Sequence, residues 1–411
     1  MKKIQVNSRR LLDTLETMGE IGRESNSKGV TRLALSEDNK EARDLLVNWL
    51  REEALDIKID PIGNIFGIRN GEDSEAPVIA SGSHLDTVRN SGIFDGALGV
   101  LSALEVIRRL NEEDVRTTYP LAVACFTNEE GARFQPDMMG SAVFSGVLEL
   151  DEAMKRFDDD GVSLQEALRT ISYKGEDSVN LGRFIELHVE QGPFLYENGL
   201  NIGVVEGVQG IAWWHGEYVG EANHAGTTPI QYRKDSLLAC SELCCELRKL
   251  AGTHGENSVT TMGRIRVEPD VINVIPERTR FTLDFRQYAE PVFQSGKNRI
   301  GELVRKIANK HGLSYSLDMV ADIEPVSFDP SMVDLVEKEA EELGLSHMRM
   351  PSRAGHDAGL LSHVCPTSMI FLPSIRGKSH SPEEYTSDEA VVNGSNLLLS
   401  CIISLCEPLK N

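Results

Sequence analysis

The sequence has few cysteines, little positive charge and no long apolar run. Its seven cysteines form no CxxC pair and lie in apolar surroundings, which predicts reduced core residues rather than disulfides or a thiolate metal site. Lys and Arg total 42 against 64 Asp and Glu, and the net charge of −22 argues against a nucleic-acid partner. No apolar run reaches about 18 residues and residues 1–29 contain no signal-like segment, so we expect a cytoplasmic protein without membrane insertion.

The motifs of several common enzyme classes are also absent. The chain has no HExxH and no G-x-S-x-G, and Gly377-Lys378-Ser379 lacks the earlier glycine of a P-loop. No cysteine has a setting typical of a nucleophile. These absences favour metal-activated water as the reactive species.

Alternating apolar and amphipathic segments predict an α/β fold. A length of 411 residues with 40% apolar and 26% charged residues is typical of two soluble domains. Helical spacing covers residues 36–55 and 97–110, and strand-like runs cover 56–60, 78–82, 121–127 and 184–189. This alternation predicts a mostly parallel sheet with helices on both faces and a site at the carboxyl ends of its strands.

Glycines at 203, 207, 210, 216 and 220 mark a change of pattern. The following segments predict a strand at 212–219, a helix at 229–250, strands at 259–267 and 279–288, and a helix at 292–310. The earlier style resumes with a helix at 331–343, a strand at 368–372 and a helix at 390–405. We therefore expect a discontinuous catalytic, metal-binding domain, residues 1–210 and 325–411, with an α+β domain inserted at 211–324.

A histidine and two aspartates follow the apolar run 78–82, in the segment SGSHLDTVRNSGIFD. His84 and Asp95 are suitable ligands for Zn²⁺ and related ions. Residues two apart in an extended stretch point the same way, so we expect the Asp86 side chain to reach the His84 imidazole and fix its tautomer. An isolated H-x-D is more often part of a capped loop without a metal.

Four further candidates lie at comparable strand ends or on loops: Glu129 and Glu130 in TNEEG, His188 in FIELHV and His380 in GKSHSPEEY. One glutamate would bind a metal and the other would take a proton from water, although the pair alone is also typical of a solvated acidic turn. A strand histidine is usually a core residue and a loop histidine usually has no function. Together the candidates predict a two-metal site, with Asp95 as the bridging carboxylate.

The order of these and other motifs resembles the M20 metallopeptidase-like amidohydrolases. The resemblance covers nearly the whole chain and is greatest to the branch of N-carbamoyl-L-amino acid hydrolase, β-ureidopropionase and allantoate amidohydrolase. The motifs are GSHLDT (82–87), FDG (94–96), FTNEEGARF (126–134), ELHVEQG (186–192), GEANHAGTTP (220–229), INVIPE (272–277), DFR (284–286), AGHDA (354–358) and SHSPEE (379–384).

The resemblance implies two divalent cations per subunit, zinc in the first place, with manganese, cobalt or nickel acceptable to the same ligands. It assigns one ion to His84 and His188, the other to Glu130 and His380, and a bridging position to Asp95. It also implies that Asp86 orients His84 and that Glu129 is the general base. The fold it implies is a zinc-peptidase-type catalytic domain with an inserted dimerisation (lid) domain.

Further residues take their expected roles from the resemblance. The chain would form a homodimer in which His224, within NHAG, reaches the neighbouring subunit's site and stabilises an oxyanion. The positions that would hold the substrate are Gln191, Asn273, Arg286 and Gly355. The guanidinium of Arg286 suits a substrate carboxylate. Without the resemblance, Arg286 would be read as a surface salt bridge, Asn273 as a turn residue and His224 as a loop histidine.

We therefore expect an enzyme that hydrolyses non-peptide C–N bonds in a small ureido or amide substrate bearing a carboxylate. The favoured substrates are N-carbamoyl-L-amino acids, with Trp213 or Trp214 lining an apolar pocket where allantoate-cleaving relatives carry an arginine. An allantoate amidohydrolase remains an alternative, because the motifs TNEEG and AGHDA, and Arg353 before AGHDA, resemble the allantoate-cleaving relatives more closely. A dipeptidase or aminoacylase on the same scaffold is a further alternative. A non-catalytic ligand-binding relative would be expected to lack a metal ligand or the base, and all of these are present.

Overall fold

The computed structural model describes residues 4–255 and 257–406. The described strands, in chain order, are β1 (Asp56–Ile59), β2 (Ile65–Arg69), β3 (Val78–His84), β4 (Leu121–Phe126), β5 (Leu181–Val189), β6 (Ile202–Val208), β7 (Gly210–Val219), β8 (Asn223–His224), β9 (Val259–Glu268), β10 (Val274–Ile275), β11 (Arg278–Gln287), β12 (Ser314–Ile323), β13 (Val326–Ser327), β14 (His347–Ser352) and β15 (Thr367–Leu372).

The helices of the same residues are α1 (Ser8–Glu20), α2 (Glu37–Glu52), α3 (Ala97–Glu112), α4 (Met139–Phe144), α5 (Leu150–Ala153), α6 (Leu164–Thr170), α7 (Phe194–Glu197), α8 (Ser236–Thr253), α9 (Glu290–His311), α10 (Pro330–Glu342), α11 (Asp357–Leu361) and α12 (Asp388–Cys406). Short 3₁₀ turns lie at Ile230–Tyr232 and Ile375–Gly377.

The described chain divides into two compact units. The first runs up to Gly207 and resumes at Phe328, and the second is Val208–Ser327. The sequence pattern puts the corresponding changes at residues 210/211 and 324/325. A role of the second unit in dimerisation stays a prediction.

The first unit is built on a sheet with a parallel centre, which confirms the predicted α/β class. Its strand order is β1-β2-β4-β3-β5-β15-β6, with β14 also paired to β6. The pairs β4–β3, β3–β5 and β5–β15 are parallel, whereas β1–β2, β2–β4 and β15–β6 are antiparallel. Every residue of β3, β4 and β15 is buried, as a strand covered on both faces requires.

The carboxyl ends of the parallel strands meet at one edge of this sheet. His84, the last residue of β3, lies opposite Phe126 at the end of β4. His188 on β5 lies opposite Phe371 on β15. The segments that follow these strands therefore converge at this edge, which is where open α/β sheets place their sites.

The second unit is an antiparallel sheet with helices α8 and α9 on one face. The strand order is β12-β7-β11-β9. Burial alternates along β7 and β11, and the inward side chains, which include Trp214 and Phe285, pack with Phe293 of α9 in one apolar core. Strand β12 was not predicted from the sequence, because its exposed side chains give no clean apolar alternation.

Two helices refine the sequence-based expectations. The helix predicted from residue 229 begins at Ser236, because the Asp235 side chain caps it by accepting the N–H groups of Leu237 and Leu238.

The last helix, α12, is apolar and long enough to cross a membrane. It nevertheless packs against α3, α10 and β15, and 56% of its apolar window is buried, which is typical of a core helix.

Candidate metal centre

Five side chains predicted to bind metal lie in two groups that share one aspartate. His84 and His188 form the first group with Asp95, and Glu130 and His380 form the second group with the same residue. The Asp95 Oδ1 atom lies 3.6 Å from His84 Nε2 and 3.2 Å from His188 Nε2. The Asp95 Oδ2 atom lies 3.4 Å from His380 Nε2. Each oxygen of this carboxylate thus faces a different group.

The two strand histidines present the same nitrogen to Asp95. The Nδ1 atom of His84 lies 2.9 Å from the carbonyl oxygen of Asp86, and the Nδ1 atom of His188 lies 2.9 Å from that of Val189. A carbonyl accepts only, so each Nδ1 carries a hydrogen, and in the neutral ring each Nε2 offers a lone pair. Neutral imidazoles held in this way are suited to metal ligation.

The expected contact between the Asp86 side chain and the His84 imidazole is wrong, because a different atom of Asp86 makes it. The main-chain carbonyl of Asp86, not its carboxylate, bonds to the imidazole. The carboxylate instead accepts the main-chain N–H groups of Glu129 at 3.3 Å and Glu130 at 3.2 Å. Strand β3 ends at His84, so the two-residue alternation of an extended strand does not apply beyond it. Asp86 therefore positions the turn that carries both glutamates.

The adjacent glutamates face different histidines. Glu129 Oε2 lies 3.4 Å from His84 Nε2, and Glu130 Oε2 lies 3.2 Å from His380 Nε2. Both are held in a turn after β4 in which Asn128 adopts a positive φ of 56°. The structure therefore separates two neighbouring residues between the two ligand groups.

Burial and neighbouring charges together set the protonation of this site. Burial raises the pKa of Glu129 well above its ordinary value and that of Glu130 to about 7. Burial lowers the pKa of His84, but the carboxylates of Glu129 and Asp95 outweigh it and raise that pKa well above normal. The hydrogen bond to Asp95 raises the pKa of His380 to about 9. The cluster thus stabilises positive charge among its carboxylates.

These residues fit divalent cations. Nitrogen and carboxylate oxygen are the ligands that zinc and its neighbours prefer, and the members of each group approach within 4.8 Å of one another. The buried Oε1 atom of Glu130 has no hydrogen-bond partner, as expected for an oxygen reserved for a cation. A carboxylate shared by two groups is the arrangement that a two-metal site requires.

Two of the expected substrate residues belong to the same unit as this cluster. The Gln191 side chain donates from Nε2 to Asp95 Oδ2 at 2.8 Å, so it touches the shared carboxylate directly. Gly355 lies in the loop before α11, where an added Cβ would come within 2.7 Å of the Met138 side chain.

The other two expected substrate residues, Asn273 and Arg286, lie in the second unit together with His224. The Nδ1 atom of His224 accepts the N–H groups of Gly226 and Thr227, so its Nε2 carries the hydrogen and is available as a donor. Asn273 is adjacent, because its carbonyl accepts the N–H of Ala225. Arg286 lies on β11 in an ion pair with Asp284, 3.1 Å between Nη2 and Oδ2.

A second layer of buried polar residues, not predicted from the sequence, lies next to the cluster. Glu186 on β5 accepts hydrogen bonds from Ser83 Oγ at 2.6 Å and from the N–H of Ala358 at 2.9 Å. His356 packs against His188, with 4.5 Å between ring centroids. Burial lowers the pKa of His356 well below its ordinary value. The signal was present in the motifs ELHVEQG and AGHDA, where charged or polar side chains interrupt apolar surroundings.

Comparison with known proteins places the chain in a family. Residues 80–404 match the family model of peptidase family M20/M25/M40. The chain is 36% identical over 406 residues to N-carbamoyl-L-amino-acid amidohydrolase of Rhizobium meliloti, covering 98% of this chain and 97% of that protein. It is 34% identical over 400 residues to allantoate amidohydrolase of Bacillus subtilis, covering 96% and 97%.

Solved structures agree with the sequence comparison. An amidase of the hydantoinase/carbamoylase family from Burkholderia multivorans superposes with a TM-score of 0.95 at 39% identity, covering 99% of this chain and all of that one. The chain therefore belongs to peptidase family M20, and the predicted family is confirmed. The predicted enzyme class, a hydrolase of C–N bonds, is confirmed with it.

Proposed function

We propose that the protein hydrolyses the carbamoyl C–N bond of N-carbamoyl-L-amino acids by means of two divalent cations. The observation that carries the proposal is the carboxylate of Asp95, whose two oxygens face two separate ligand groups. The relative from Rhizobium meliloti supports the substrate class through its name. The products would be the free amino acid, carbon dioxide and ammonia.

One cation would be held by His84, His188 and Asp95, and the other would be held by Asp95, Glu130 and His380. Zinc is the first candidate, and manganese, cobalt or nickel are alternatives. When bound, the cations would polarise the substrate carbonyl and make water a stronger nucleophile at neutral pH. The chain's own contribution includes the buried imidazoles of His84 and His188, whose orientation is fixed by hydrogen bonds to main-chain carbonyls.

Glu129 would be the general base. The residue is 7% exposed, and its carboxylate faces His84 rather than His380. It therefore lies at the cluster but is not a member of the second ligand group. Burial raises the pKa of its carboxyl group well above the ordinary value, which makes the carboxylate a stronger base. It would take a proton from the attacking water and deliver it to the departing nitrogen.

His224 would donate from Nε2 to the carbonyl oxygen as negative charge develops there. The two main-chain N–H groups that bond to Nδ1 favour the neutral tautomer required for this role. We propose that it acts on the site of a partner copy and that the inserted unit mediates a homodimer. Chromatography coupled to light scattering would test the dimer, and mixing His224→Ala with Glu129→Gln protein would test the exchange of residues between copies.

The outer face of the second sheet supports an amino-acid substrate with an apolar side chain. Trp213 lies opposite Asp284 and is 44% exposed on the face that carries Arg286. Trp214 is 4% exposed and packs in the core. Of the two tryptophans, Trp213 is therefore the candidate for the pocket wall, while Arg286 would exchange Asp284 for the substrate carboxylate.

The similarity to the Bacillus subtilis allantoate amidohydrolase keeps allantoate as the second candidate substrate. Metal-stripped protein should be reloaded separately with zinc, manganese, cobalt or nickel and assayed for ammonia release from N-carbamoyl-L-amino acids, allantoate and dipeptides. We expect the fastest release from N-carbamoyl-L-amino acids with apolar side chains. Faster turnover of allantoate would replace the first candidate by the second, and turnover of dipeptides alone would reject both.

A matched pair of variants tests the division of labour between the adjacent glutamates. Glu129→Gln should retain both ions and lose most turnover, because an amide cannot take the proton. Glu130→Gln should lose one ion. Full activity of Glu129→Gln would show that another group acts as the base.

A further inference from the structure

A buried glutamate outside the ligand groups joins the two loops that carry Asp95 and His380. Glu384 is 6% exposed, and its Oε1 atom accepts the main-chain N–H groups of Phe94 at 3.2 Å and Asp95 at 3.1 Å. Its Oε2 atom accepts the hydroxyl of Ser379 at 2.8 Å. One carboxylate thus holds the main chain of the shared ligand and the residue next to His380.

Ser379 extends this connection to the shared carboxylate itself. Its Oγ atom lies 3.0 Å from Asp95 Oδ2, the oxygen that faces His380. Beside it, the ring of Tyr385 packs edge-on against Phe94, with 5.9 Å between centroids. The contacts join segments that are 289 residues apart in the sequence.

The loop before Asp95 is shaped to admit the glutamate. A Cβ added at Gly92 would lie 2.6 Å from the Cβ of Glu384, closer than real side chains approach. Only glycine at this position allows the Glu384 side chain to lie against the loop and accept both N–H groups.

We propose that Glu384 is a positioning residue that sets the spacing between Asp95 and His380 and thereby the affinity for the second cation. This inference rests on the proposed function, since it assumes that the Asp95–Glu130–His380 group binds an ion. Glu384 has no hydrogen bond to the side chains of these three ligands. It acts on them through the hydroxyl of Ser379 and the main-chain N–H of Asp95. Partners of this kind typically contribute about 10- to 100-fold to metal affinity or activity.

The test is a calorimetric titration of metal-stripped, full-length protein with Zn²⁺ in competition with a chelator. We expect wild-type protein to bind two ions, and Glu384→Ala to bind one normally and the other about 10- to 100-fold more weakly. Gly92→Ala should show the same selective loss, although it retains the glutamate. Turnover should fall through kcat with little change in KM, because the expected substrate residues are not among the contacts of Glu384.

The neighbouring Glu383 supplies a matched control. It is exposed and pairs with Lys378, so Glu383→Ala should bind both ions like the wild type. Glu384→Gln retains an oxygen that can accept both N–H groups and should recover most of the second-ion affinity lost in Glu384→Ala. If Glu384→Ala does not fold, as judged by circular dichroism, Gly92→Ala decides the question.

Normal binding of both ions by Glu384→Ala and Gly92→Ala would overturn the proposal, as would normal binding by Gly92→Ala alone if Glu384→Ala does not fold. An equal loss in Glu383→Ala would also overturn it. The titration needs no substrate, so an error about the substrate leaves its outcome intact. Failure of the wild type to bind two ions would instead reject the two-metal function.

Discussion

Replacing Asp86 by alanine distinguishes two explanations of how this residue acts. If its carboxylate oriented His84, the variant would lose the first ligand group. In the structure, the carboxylate instead accepts hydrogen bonds from the main-chain N–H groups of Glu129 and Glu130. The main-chain carbonyl of residue 86, which an alanine retains, holds the His84 imidazole. We expect Asp86→Ala to disturb the glutamate turn and to leave His84 in place.

The energetic consequence follows from the bonds that are lost. Two hydrogen bonds to a buried carboxylate at 3.3 and 3.2 Å lie at the long end of the normal range, so each should contribute about 1.5 kcal/mol. The loss in unfolding free energy should therefore be about 3 kcal/mol. Loss of the Asp86 charge should also destabilise the buried guanidinium of Arg32. Burial lowers the pKa of Arg32 to about 10, and among its neighbours Asp86 opposes this lowering most strongly.

Urea denaturation followed by circular dichroism, with a chelator present, would measure this loss without a contribution from metal. The exposed Asp160 provides the control, since Asp160→Ala should change stability by less than about 0.5 kcal/mol. In the metal titration Asp86→Ala should still bind one ion, while kcat falls because Glu129 is displaced. A variant as stable as the control, or one that binds no ion, would refute this account of Asp86.

Three further predictions concern the core, the thiols and the ions. Phe285 is fully buried and stacks on Phe293, so Phe285→Ala should reduce the unfolding free energy by about 3–5 kcal/mol in denaturant titrations, and a loss below 1 kcal/mol would contradict the packing. A thiol reagent should label two of the seven cysteines, Cys244 and Cys245, in native protein and all seven in denaturant, as counted by mass spectrometry; labelling of a third native thiol would contradict the burial of the other five. Chelation should lower the melting temperature as well as abolish turnover, because the ions bind the folded state and offset repulsion among buried carboxylates; an unchanged melting temperature would argue against occupied sites.

The local patterns of the sequence were sufficient for the buried central strands of the first unit. Buried parallel strands read as continuous apolar runs, and β3, β4 and β15 were recognised from such runs. Strand β12 was missed because an exposed strand carries no comparable signal. Helix α1 was not predicted, because its few apolar residues, which include Leu11, Leu15 and Met18, lie among polar and charged side chains.

The chemistry of the candidate site was also visible in the sequence, since His84, Asp95, Glu130, His188 and His380 are ligand types placed after strands or on loops. Only the tertiary structure decided which atoms meet. Side-chain direction after a strand end depends on how the chain turns, so the route from Asp86 could not be derived from spacing. Contacts such as that of Glu384 with Asp95 join distant segments, and no local pattern records a pairing that folding alone creates.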